Sequence, residues 1–209
     1  MIIDISKSFI ERIPEKFISD DALLRIIESY TLSKKIQMEA KNCYQVGNEW
    51  RPIFNTHLGT YINALSTKNL SLVRAMFQNF FREELSAGLH GLHFDMVAKY
   101  MTPEHPIKAD DLRLYMDALV SNFTLFARNF PDTSTEVLAR ESFGNAYGCH
   151  IDGHFIVAGA ESHYFHAHKI KQLLDSKSKR RVLELGGGYG GMAYYLLRDA
   201  PMFLSLIHI

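Results

Sequence analysis

Residues 181–197, RVLELGGGYGGMAYYLL, decide how this chain is read. Residues 181–185, RVLEL, have the length and the apolar content of a short buried strand. Glycines follow at once, and MAYYLLRDA then repeats apolar residues at helical spacing, with Met192, Tyr195 and Leu196 on one side. A strand that enters a glycine-rich turn and leaves it as a helix is the nucleotide-binding corner of α/β folds. Glycine permits tight turns and close backbone approach there.

The corner alone does not name the ligand. Gly186, Gly188 and Gly191 satisfy G-x-G-x-x-G, the dinucleotide pattern, while Glu184, Gly186, Gly188 and Gly190 satisfy the acidic G-x-G-x-G pattern of methyltransferases. The acid separates the two readings. A carboxylate on the last turn of the strand repels a bound pyrophosphate but suits S-adenosylmethionine, which carries an amine and a sulfonium and no phosphate. The carboxylate of that cofactor can still use the amides of the glycine turn and the helix N-terminus.

Working outward, GNAYGCHIDG (residues 144–153) and SHYFHAHKIKQLL (residues 162–174) accompany the glycine turn. Together with VLELGGGYGGMAYYLL, they resemble the sugar O-methyltransferases of bacterial polysaccharide gene clusters, over roughly residues 140–200. The resemblance implies an α/β fold. A helical N-terminal region, residues 1–131, would precede the first βα unit of a Rossmann-like class I methyltransferase domain, residues 132–203. It implies that Glu184, Gly186, Gly187, Gly188 and Gly190 hold S-adenosylmethionine and that a sugar hydroxyl of a glycan or glycosylated metabolite is the substrate. It further implies that Asn145, Tyr147, Asp152, His163 and Tyr164 line the cleft. Ala146 stands where that family leads us to expect proline, which makes the turn there less rigid.

The rest of the chain reads as helix and hairpin. Leu23, Ile26, Ile27 and Tyr30 keep three-to-four spacing behind Ser19-Asp20, as do Leu70, Val73, Phe77, Phe80 and Phe81. A third stripe, Leu112, Tyr115, Leu119, Phe123 and Phe126, starts at Asp110-Asp111 and stops at Pro131. These stripes read as core. After Pro131 close-set glycines and the apolar run 155–158 predict a turn-rich or hairpin segment. A helix over 162–175 follows, then the polar linker 177–180.

Five histidines, 150, 154, 163, 166 and 168, crowd together. On a helix over 162–175, His163 and His166 share a face with Ile170, Leu173 and Leu174, while His168 points away with Phe165. One face therefore offers no three ligands, and no metal is assigned. Two of these histidines with His150 or His154 remain a possible set. His163 is instead the candidate general base, because imidazole titrates near working pH. Trp50-Arg51-Pro52, and His90 and His93 in GLHGLHF, read as packing residues, with sugar stacking as the competing use of Trp50.

Composition bounds the partners. Lys+Arg and Asp+Glu balance at 23 each, so no net field recruits nucleic acid. Hydrophobic residues make up 47% of the 209, enough for a core, yet no uncharged apolar stretch has membrane-spanning length. The two cysteines, Cys43 and Cys149, have no CxxC partner and suit a reducing compartment, so a cytoplasmic location is expected. Residues 204–209 are expected to be the translation of a sequencing-library adapter. On that expectation the first strand lacks parallel neighbours, and the chain by itself shows little cofactor binding and no methyl transfer. Two other readings compete: an NAD-dependent or nucleotide-sugar oxidoreductase, and a helical interaction module without catalysis.

Overall fold

The computed structural model describes residues 3–4, 18–41, 48, 51–52, 58–82, 108–140, 144–175, 182–184, 188–199 and 207–208. Trp50, His90, His93, Gly186 and Gly187 lie outside them. The fold is mixed α/β and mostly helical. It comprises two compact units, one of Met1–Glu11, Ala87–Arg140 and Tyr147–Ile209, the other of Arg12–Ser86 and Glu141–Ala146.

The second unit is helical. Helix α1 (Asp20–Glu39) is started by Ser19, whose hydroxyl accepts the Ala22 amide at 3.2 Å, with Asp20 and Asp21 in the first turn. Helix α2 (Gly59–Ser66) and helix α3 (Leu70–Gln78, capped by Asn69) complete it. The stripe read from the sequence buries Leu23 and Ile27 against Ala64, Val73 and Met76. The α3 stripe does not continue as one helix: the chain breaks at Asn79 and resumes as a 3₁₀ turn, Phe80–Arg82, with the Phe77 and Phe80 rings stacked 5.9 Å apart. Arg74 ties the start of α1 to α3 by donating to the Ile18 carbonyl and the Asp20 carboxylate.

The first unit carries the remaining elements. Helix α4 (Ala109–Asn129) buries Tyr115, Leu119, Phe123 and Phe126, one face at the predicted spacing, each contributing about 1.5–3 kcal/mol by burial. It ends at Phe130, before Pro131. Although the sequence groups this helix with the N-terminal region, its apolar face shares a core with the elements that follow it. Those are a 3₁₀ turn (Thr135–Leu138), strands β2 (Gly148–Ile151) and β3 (His154–Val157), helix α5 (Ala160–Asp175), strand β4 (Leu183–Glu184) and helix α6 (Gly191–Asp199).

Strands β2 and β3 form the predicted hairpin, with His150 opposite Phe155 and Ile151 opposite His154. The two-residue turn between them is Asp152-Gly153, both at positive φ (48° and 86°), the geometry that keeps a hairpin's right-handed twist. Strand β1 (Ile3–Asp4) pairs antiparallel with the other edge of β2.

Two expectations are corrected in this unit. Strand β4 has a parallel neighbour: Ile207 and His208 form β5 and pair with Leu183 and Glu184. A two-residue parallel ladder is far shorter than a doubly wound sheet. Helix α5 begins two residues earlier than predicted, and Ile170 of the face shared with His163 packs against the core. Ala160, Glu161 and Ala167 are buried, while His166 is exposed and Leu173 is 71% exposed.

Candidate functional site

Residues 188–191 form the described part of the glycine turn, with Gly188 and Gly190 at φ 55° and 80°. Those left-handed values are what glycine supplies at low cost. A Cβ on Gly190 would meet open space, whereas one on Gly191 would lie 2.6 Å from His163 Nδ1. The absent side chain at Gly191 is therefore what lets the imidazole sit against the start of α6.

His163 projects from α5 into this corner. Its Nδ1 lies 3.1 Å from the Tyr189 hydroxyl, and the two rings meet edge to face with centroids 5.3 Å apart. Above the Tyr189 ring sits the Arg140 guanidinium, 4.9 Å from its centroid. Burial, then the positive charge of Arg140, then His166 depress the His163 pKa from 6.5 to about 4, so the imidazole is neutral near pH 7. Burial raises the Tyr189 phenol, and Arg140 partly offsets that rise by favouring the phenolate.

Two further buried atoms, in the strand before the turn and over its Tyr189 ring, lack hydrogen-bond partners. One is Oε2 of Glu184, at the end of β4; the other is Nε of Arg140. No ion pair joins Arg140 to a carboxylate among the described residues. A buried atom without a partner costs about 1–3 kcal/mol, more when it belongs to a charged group.

The other residues singled out by the sequence fall elsewhere. Tyr164 belongs to an aromatic cluster, its ring 5.9 Å from Phe126, 5.2 Å from Phe130 and 5.7 Å from Tyr195. It packs against the core cluster rather than reaching the glycine turn. Asp152 is exposed at the hairpin tip, where its positive φ gives it a turn role. Asn145 is buried in the other unit at φ 56°, donating to Asn79 Oδ1 at 3.0 Å. Tyr147 is buried, and its carbonyl accepts the Ala158 amide at 2.8 Å. Of the predicted set, then, the structure sets His163 against the turn that holds Gly188 and Gly190, Glu184 ends the strand before that turn, and Asn145, Tyr147, Asp152 and Tyr164 have structural employment.

Three of the other clustered histidines have local partners. His166 Nδ1 lies 2.8 Å from its own helix's Ser162 carbonyl, and His168 sits edge-on to Phe130 at 5.0 Å. His150 packs on Phe155. Among the described residues no three His, Cys, Asp or Glu side chains gather as a metal ion requires. No described helix is long and apolar enough to cross a membrane.

Arg140 and Tyr189 were not legible as site residues. Tyr189 is an x in the glycine pattern, and Arg140 lies outside every motif. Only the fold brings the guanidinium over the ring.

Comparison of the chain with protein-family models, with curated proteins and with solved structures gives no match.

Proposed function

We propose that the chain carries the cofactor corner of an S-adenosylmethionine-dependent O-methyltransferase acting on a sugar hydroxyl. One observation carries the reading: an acid and a base, Glu184 in the strand that leads to the glycine turn and Arg140 over the Tyr189 ring of that turn, each keep a buried atom without a partner. A zwitterionic α-amino acid group complements that pair, the Glu184 carboxylate receiving its ammonium and the Arg140 guanidinium its carboxylate. The pyrophosphate of a dinucleotide satisfies only the arginine and is repelled by the acid. Gly188 and Gly190 give the backbone the conformation for a close approach there. Within this reading the finer fold class is a Rossmann-like methyltransferase domain over residues 132–203, with β4 and α6 as its first βα unit.

S-Adenosylmethionine, when bound, supplies an electrophilic methyl on a sulfonium. What the chain contributes is positioning and a proton acceptor. His163 is held neutral by burial and Arg140. In the tautomer whose Nδ1–H donates to the Tyr189 oxygen, Nε2 keeps its lone pair for a substrate hydroxyl. So weak a base takes the proton late, as positive charge develops on the attacking oxygen. Burial of the pair limits competition from water.

The test is equilibrium binding of S-adenosylhomocysteine and of NADH to the longest open reading frame that contains this sequence at its genomic locus. The expected result is binding of the former and not of NADH, weakened about tenfold or more in Glu184→Gln and in Arg140→Gln. Binding of NADH without S-adenosylhomocysteine overturns the proposal in favour of an oxidoreductase.

A further inference from the structure

A second cleft, of about 330 Å³, opens on helices α4 and α5. It lies at the lower end of the size range of small-molecule sites. Leu125, Phe126 and Phe165 supply its apolar wall, Asn122, Asn129 and Ser162 its polar atoms, and Glu161 its single ionisable group.

Glu161 is what makes the cleft informative. Its residue is only 5% exposed, and its carboxylate accepts the Asn122 side-chain amide at 2.7 Å. Burial raises its pKa, and the hydrogen bonds from Asn122 and from its own backbone amide only partly counter that. Buried carboxylates are ordinarily compensated by a cation. Among the described residues none pairs with Glu161. The wall is also suited to positive charge: the Lys169 ammonium of the chain itself lies over the Phe165 ring at 5.6 Å.

We propose that this cleft is a binding site for a small organic ammonium, its charge on the Glu161 carboxylate and its apolar body against Leu125, Phe126 and Phe165. The ammonium supplies the cation that Glu161 lacks, and the rings cover the hydrocarbon. A neutral molecule of the same shape gains the second contribution without the first. Its lining includes no residue of the glycine turn, and nothing in the proposal depends on methyl transfer.

The experiment is calorimetric titration of the full chain with 2-phenylethylammonium and with its neutral counterpart 2-phenylethanol, without S-adenosylmethionine. The ammonium is expected to bind about tenfold or more tightly than the alcohol, the equivalent of one charge-assisted hydrogen bond. Glu161→Gln is expected to erase that preference. A second variant, Asn129→Lys, puts a positive charge at an exposed position on the cleft wall. It leaves the core alone and is expected to weaken the ammonium about tenfold while sparing the alcohol. Equal affinity for the two probes, an unchanged preference in either folded variant, or no binding of the ammonium at millimolar concentration overturns the proposal.

Discussion

The His163 imidazole rests against Gly191, so closely that a Cβ on the glycine would lie 2.6 Å from Nδ1 and 2.7 Å from Cε1. The last glycine of the run is therefore there for a histidine of another helix, whatever the earlier glycines bind. Gly191→Ala forces the overlap onto the end of a side chain, which can swing away. Alanine also favours the helix by about 1 kcal/mol, so the change in overall stability is expected to stay within about 1 kcal/mol. The histidine loses Tyr189, and its pKa is expected to climb from about 4 towards the ordinary 6.5. A proton NMR titration of the imidazole Cε1–H reads this directly; an unmoved titration shows that the seat tolerates a methyl group.

Stability should depend on pH through the same residue. Its folded pKa, about 4, lies below the unfolded 6.5, so between those values the unfolded chain binds more protons. Stability is full above about 6.5 and is lost as pH falls towards 4. With allowance for partial exposure, the loss is on the order of 1–3 kcal/mol. Glu161, whose pKa is raised, acts in the opposite direction as pH rises above its unfolded 4.5. Urea denaturation of the chain beside His163→Asn isolates the histidine's part, and the variant is expected to show the shallower dependence over pH 4–6.5.

At the hairpin tip, Gly153 has φ 86° with nothing within 4 Å of an added Cβ. Gly153→Ala therefore meets only backbone strain, costing about 1–2 kcal/mol in a denaturant titration. Asp152→Asn keeps a residue that tolerates a left-handed φ and is expected to change stability by less than about 0.5 kcal/mol. Under the proposed function it should leave methyl transfer unchanged; a marked loss of turnover without a loss of stability restores Asp152 to the cleft.

Tyr195 donates its buried hydroxyl to the Leu138 carbonyl at 2.7 Å, joining α6 to the 3₁₀ turn that precedes Arg140. Tyr195→Phe keeps the ring in its aromatic cluster but strands that carbonyl. The expected cost is about 1–3 kcal/mol by chemical denaturation. Because Arg140 follows Leu138 by two residues, the His163 titration is expected to shift as well.

Local chemistry made much of this readable. Ser19 before two aspartates, the three-to-four spacing from Tyr115 to Phe126, and the glycines flanking 150–153 each act within a few residues, and the structure uses them as expected. Relations between distant segments were not readable. The early start of α5 at Ala160 and the burial of Glu161 depend on what packs against them, which the helix's own sequence does not report. Tyr164 sits beside His163 in sequence yet points into the aromatic core, because successive helical residues are about 100° apart. At the glycine corner Glu184, Gly188, Gly190 and His163 were found by pattern, but Arg140 and Tyr189 required the folded chain.

Strand β1 pairs Ile3 with Ile151, so the two partners are separated by most of the chain. By contrast, β2 and β3 meet across two residues and can close in microseconds. On a ribosome, at about 5–20 residues per second, Ile3 waits on the order of 10–30 s before Ile151 exists. For that interval the first strand is an edge without a sheet, and the finished hairpin is the template that ends its wait.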